Sequence, residues 1–126
     1  MFIINADKSI YLTRGDIAQI TISASKSGTE DYIFQPGDVV RFRVTEKKNL
    51  DAVILCKDAV VESESLTVDI SLFGDETKIG EIINKPVDYW YEVELNPDVA
   101  PQTIIGYDSD GPKIFRLFPE GGDVDG

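Results

Sequence analysis

The chain is poor in the residues that most often carry chemistry. It has one cysteine, one methionine, one tryptophan and no histidine in 126 residues. A single cysteine excludes an internal disulfide. Without an imidazole anywhere, Cys56 has no histidine base to activate it, so its place in the apolar run Ala52–Cys56 reads as a small buried hydrophobe. Basic residues are few as well: 12 Lys and Arg stand against 23 Asp and Glu, a formal net charge of −11. The imbalance is local. Residues 1–63 hold 8 basic and 9 acidic groups, and residues 64–126 hold 4 and 14. Nucleic acid and anionic lipid both call for a cationic surface, so neither is an expected partner. No apolar run reaches the roughly 20 residues that cross a bilayer. Met1-Phe2-Ile3-Ile4-Asn5 turns polar too soon for a signal peptide, and synthesis in a host cytoplasm is the expectation.

What the chain does have is alternation. Val87–Leu95 is the clearest case: Val87, Tyr89, Tyr91, Val93 and Leu95 fall on one side of an extended strand, and Asp88, Trp90, Glu92 and Glu94 on the other. Val39–Thr45 sends Val40, Phe42 and Val44 inward and Arg41 and Arg43 outward. Asp16–Ala24 alternates with Ala18, Ile20, Ile22 and Ala24 inward. Ser65–Leu72 does so with Leu66, Val68, Ile70 and Leu72. The unbroken run Ala52–Cys56 suits a strand buried on both faces. Shorter strands are expected within residues 2–13, broken at Asn5–Lys8, and at Tyr32–Phe34.

Between these runs lie turn residues. Gln35-Pro36-Gly37-Asp38 has proline and glycine in the order of a type II turn. Lys26–Glu30 reads as a hairpin or loop, Glu46–Asn49 as a charged turn, and Asn96–Asp98 as another turn. Asp108–Pro112 reads as the tip of a hairpin that pairs Thr103–Tyr107 with Lys113–Phe118. Gly74–Gly80 holds the one helix-like turn. About eight short strands punctuated by turns predict an all-β, antiparallel sandwich of Ig-like or jelly-roll type. It forms a single domain over residues 1–118, followed by an acidic, glycine-rich tail at 119–126.

Each motif with a chemical reading also has a plainer one. Arg14-Gly15-Asp16 spells an integrin tripeptide, but between two alternating strands it reads as a structural turn. Asp108-Ser109-Asp110-Gly111 opens like a calcium loop, yet Pro119 stands where the twelfth-position glutamate belongs, which favours a turn. Glu92 and Glu94 would lie roughly 7 Å apart, a glycosidase-like spacing, though a solvated strand face carries such residues routinely. Arg41 and Arg43 either pair with acids on neighbouring strands or form a small basic patch. Trp90, among acids on the outward face, either tucks under a loop or marks a contact. No catalytic residue, cofactor or metal is expected. Trp90, Asp88, Glu92, Glu94, Arg41 and Arg43 form the candidate partner surface.

One resemblance joins these pieces. Ile10-Tyr11-Leu12-Thr13-Arg14-Gly15-Asp16 is followed by an alternating strand, then by Val40-Arg41-Phe42-Arg43-Val44 reached through Pro36-Gly37-Asp38. Asp75-Glu76-Thr77 and Tyr89-Trp90-Tyr91-Glu92-Val93-Glu94-Leu95 come next. The succession, covering residues 10 to about 118, resembles the N-terminal domain of upper baseplate proteins and related small structural proteins of tailed phages of Gram-positive bacteria. Gly28–Phe34 departs from the usual loop, and the longer receptor-holding domains of baseplate proteins are not in this sequence. The resemblance implies a non-enzymatic virion component of tail, baseplate or capsid surface, contacting other virion proteins and copies of itself in a homo-oligomer. The alternative is a soluble carbohydrate-binding module.

Overall fold

The computed structural model describes residues 1–25, 30–46, 52–107 and 111–120. Nine strands and one helical turn follow in chain order: β1 (Phe2–Ile4), β2 (Ile10–Thr13), β3 (Ala18–Ile22), β4 (Val39–Thr45), β5 (Val53–Val60), β6 (Val68–Leu72), α1 (Gly74–Thr77), β7 (Val87–Leu95), β8 (Gln102–Ile105) and β9 (Lys113–Phe118). They form two layers. A large sheet runs β1-β2-β9-β7-β4-β5, with β8 also on β7, and a two-stranded sheet joins β3 to β6. The protein is thus the expected all-β, sandwich-like fold, with the sheets stacked and open, not closed into a barrel.

The period-2 pattern explains the core. Val40, Phe42 and Val44 of β4, Val93 of β7 and Phe115 and Leu117 of β9 are fully buried on the inner face of the large sheet. Ile10 and Leu12 of β2 extend that face, and Ala18, Ile20, Ile22, Val68, Ile70 and Leu72 meet it from the small sheet. The Phe42 ring lies 5.5 Å from Tyr91 and 6.2 Å from Phe115, tilted in both cases. Burying each such side chain contributes about 1.5–3 kcal/mol. Tyr91 carries its hydroxyl into this interior, where it donates to the Lys8 carbonyl and so stays satisfied.

Three sequence expectations about strands are corrected. The run beginning at Ala52 is not buried on both faces: β5 continues to Val60 at the border of the sheet, with Cys56 exposed and Val60 64% exposed. A strand needs layers above and below to be buried twice, and the large sheet has only one. Thr103–Tyr107 and Lys113–Phe118 do not pair with each other. β9 pairs with Val87–Tyr91 and β8 with Val93–Leu95, so the two follow one another along the same side of β7. That nine-residue strand is long enough to take both. The sheet is also not purely antiparallel, because β2 and β9 run parallel. Such a pair needs a long connection, and here nearly the whole chain from Thr13 to Lys113 supplies it.

Smaller differences have the same origin. Leu66 is 54% exposed and β6 starts at Val68, while Ala24 is half-buried beyond the end of β3. Tyr32–Phe34 is not a strand, though Phe34 is fully buried and bridges Ser65. The loop at 26–29, most of the 46–49 turn, the hairpin tip and calcium-like residues at 108–110, and the tail from 121 onward lie outside the described residues.

The turns behave as their residues require. Gly37 has φ +93° and Asp38 N–H donates to the Gln35 carbonyl at 3.0 Å, closing the expected turn. Arg14-Gly15-Asp16 is indeed structural. Gly15 has φ +90°, and its N–H donates to Thr77 Oγ1 at 3.1 Å. The Arg14 side chain is buried, donating to the carbonyls of Ile79 (3.2 Å) and Gly80 (2.8 Å) and to Glu120 Oε1 (3.0 Å). This turn therefore ties β2 to the segment after α1. The helical chemistry at Gly74–Gly80 yields one four-residue turn, in which the Glu76 carboxylate accepts from the Phe73 N–H at 2.9 Å.

Candidate interaction surface

The outward side chains of the large sheet form rows across β5, β4, β7 and β9, because residues opposite one another share a face. In the first row Asp58, Arg41 and Glu94 are in register. Arg41 donates to both oxygens of Asp58 at 2.8 and 3.0 Å, and to both of Asp98 at 3.2 and 3.1 Å. The guanidinium holds the Asp58 carboxyl below the usual carboxylate range. Arg41 itself is held more firmly protonated by the same two acids.

The second row places Cys56, Arg43 and Glu92 together. Arg43 pairs with Glu92, and its Nη2 also lies 3.3 Å from Glu94. Glu92 is only 7% exposed. A Cβ on Gly106 would come within 3.7 Å of Glu92 Oε2, so the glycine leaves the carboxylate close against the chain beyond β8. Burial pushes the Glu92 carboxyl above its ordinary value, neighbouring Glu94 adds to the rise, and Arg43 opposes it. Arg43 Nε is buried with no hydrogen-bond partner among the described residues.

Trp90 occupies the third row, in register with Thr45 on one side and Ile114 on the other. It is half-buried, and its carbonyl accepts a long hydrogen bond from Thr45 Oγ1 at 3.4 Å. Asp88 occupies the fourth row with Arg116, Tyr11 and Ile3. Arg116 grips both Asp88 oxygens at 2.6 and 3.1 Å, and its guanidinium carbon lies 5.3 Å from the centre of the Tyr11 ring. That grip lowers the Asp88 carboxyl from its ordinary value.

All six sequence-predicted residues thus lie on one face, but spread over four rows. Arg41 and Arg43 pair with acids across the sheet, which was the plainer of their two readings. Glu92 and Glu94 share the Arg43 guanidinium and do not stand free as an acid–base pair. Asp58, Asp98, Arg116 and Tyr11 complete the network and were missed, since strand neighbours cannot be read from one sequence. The outward position of Arg116 in Lys113–Phe118 was the available signal.

Two further features lie away from this face. β5 pairs only with β4 among the described residues. At one end of the sandwich, a groove of about 560 Å³ runs between Ser23–Ser25 and β8. Among the described residues no group of three or more His, Cys, Asp or Glu side chains is placed to hold a metal ion, and no helix is long and apolar enough to cross a membrane. Comparison with known proteins yields no matching family model, no matching curated protein and no matching solved structure.

Proposed function

We propose that this protein is a non-enzymatic structural component of a phage particle that works through protein–protein contacts, its own copies included. The observation that carries the assembly reading is the open border of the large sheet. Among the described residues, β5 is paired on one side only along its eight residues, with Val53 and Val60 exposed beside it. Unpaired N–H and C=O groups in a row are a template for a further strand. The opposite border, β1, has no second strand partner among the described residues either, and carries exposed Ile3 and Ile4. The flat outer face is a poorer contact, because its charges already satisfy one another and would have to be desolvated. The assignment to a phage rests on the resemblance of residues 10 to about 118.

A second reading, binding of a neutral saccharide, is favoured by the groove. Among the described residues none of the ten that line it is charged, in a chain that is 28% charged. Ser23, Ser25, Gln102 and Thr103 present hydroxyl and amide groups with no side-chain partner among the described residues. Tyr32 is fixed beside them by its 2.6 Å hydrogen bond to Asp38 and its edge contact with Phe34. The two readings separate on purified protein. Assembly predicts self-association or a stable complex with particle proteins; a monodisperse monomer that binds a glycan array contradicts it.

A further inference from the structure

We propose that β8 is a strap whose hold on β7 is set by one proton shared between Glu92 and Glu94. Under mild acid the strap is closed, and it loosens as the pair gives up that proton. The strap belongs to the fold and holds under either reading above. β8 is lightly held to begin with. Among the described residues it pairs with β7 alone, over three positions, and its side chains are exposed or half-buried. The pairing slips between Val93 and Glu94, where Ile104 is the extra residue on β8. The irregularity therefore falls between the two glutamates. Beyond it, Ile105 stands opposite Val93, and Gly106 closes against Glu92.

Glu92 has little access to water, since it is 7% exposed and lies under the chain at Gly106. Both carboxylates contest one nitrogen: Arg43 Nη2 pairs with Glu92 and lies 3.3 Å from Glu94 Oε1. Arg43 Nε helps neither, being buried with no hydrogen-bond partner among the described residues. The other charges nearby are committed or turned away. On β4 and β5, Arg41 is held by Asp58 and Asp98, and Cys56 is an exposed thiol. β8 presents no titratable side chain, and Tyr107 beyond it is exposed. On β9, Arg116 is gripped by Asp88, and Lys113 lies opposite the inward Tyr91. One guanidinium thus answers for two acids. With one proton between them the cluster is neutral; with none it carries a net negative charge away from solvent. Hydrating that charge requires the Ile105–Gly106 end of the strap to lift. Burial first, and then the neighbouring Glu94, raise the Glu92 carboxyl against the pull of Arg43, in keeping with a shared proton. β8 also walls the groove through Gln102, Thr103 and Ile104, so a loosened strap loosens one side of the groove.

The test is amide hydrogen exchange at about pH 5 and about pH 8, each rate divided by its intrinsic rate so that only protection is compared. In the parent, protection of residues 102–106 should fall at least about fivefold between the two. Their exchange should also be insensitive to low urea, the sign of a local opening, while that of β9 accelerates with urea. Glu92→Gln, which cannot ionise, should keep the strap equally protected at both pH values. Glu94→Gln should do the same, because a single carboxylate then meets the single guanidinium; it carries the test if the first variant does not fold. Equal protection at both pH values in the parent overturns the strap. So does a fall that either glutamine variant retains. So does exchange of residues 102–106 that follows β9 in rate and urea dependence, since β8 would then open only with the whole fold.

Discussion

Arg43 and Glu92 face each other across β4 and β7 and are joined by an ion pair on the side of the sheet that faces away from the core, yet Glu92 is almost completely buried. The pairing gives the outer face its character: acids and arginines close on one another across strands. Removing Arg43 would leave a covered carboxylate beside a second acid. Arg43→Ala should lower unfolding free energy by about 2 kcal/mol, less than the 3–5 kcal/mol typical of deeply buried pairs because Arg43 keeps some solvent contact. Urea titration checks this, and an unchanged midpoint would show that the pair is solvated.

The pH dependence has two opposing parts. Asp58, Asp88, Asp38 and Glu76 are all held below their ordinary values, mainly by hydrogen bonds from Arg41, Arg116, Tyr32 and Lys57 respectively, set against some burial. A carboxyl lowered in the folded state adds stability that is present above its unfolded value near 4 and lost as pH falls through the folded one. Glu92 is raised, so it opposes them: ionising it costs stability as pH climbs from its unfolded value through its folded one. Stability should fall below about pH 4. Glu92→Gln should remove the opposing component, so the loss of stability that the parent shows as pH climbs above about 4 should disappear. Thermal unfolding across that range measures both slopes.

The Arg14 turn is a sharper test of the fold. Arg14→Ala would strand the Ile79 and Gly80 carbonyls that the guanidinium now satisfies, and should cost about 2–3 kcal/mol. Arg14 is 7% exposed, so soluble integrin should not bind the native protein. Surface plasmon resonance checks the second expectation, and chemical denaturation the first.

In the core, Phe42→Ala should cost about 3–5 kcal/mol, since it removes a fully buried ring from contact with Tyr91 and Phe115. The same measurement on Trp90→Ala should give a smaller loss, because Trp90 is half-buried.

If the groove holds a neutral saccharide, Gln102→Ala and Tyr32→Ala should each weaken binding on a glycan array at least tenfold, and Trp90→Ala should leave it unchanged. Loss of binding in Trp90→Ala alone would return the sugar reading to the outer face of β7.

The inner face was legible because one rule governs it. Val40, Phe42 and Val44, or Tyr91, Val93 and Leu95, announce a buried side by alternation alone, and the position of Gly37 in its turn follows from backbone sterics. What was not legible depends on neighbours. Ala52–Cys56 has the composition of a doubly buried strand, but its place at the border is set by which strands pair, and no local pattern encodes that. The same holds for Glu92. On a strand its outward position suggested solvent, whereas Arg43 and the chain near Gly106 cover it. Arg41 could be placed on a face from sequence, but its partners Asp58 and Asp98 lie 17 and 57 residues further along.

The proposed membership of an assembled particle is decided by quantitative mass spectrometry of gradient-purified particles released from the cells that encode the chain. The expected result is this chain at a fixed, integral ratio to the major particle proteins, resistant to high-salt washing. Its recovery only in the soluble fraction, with none in intact particles, would contradict the account.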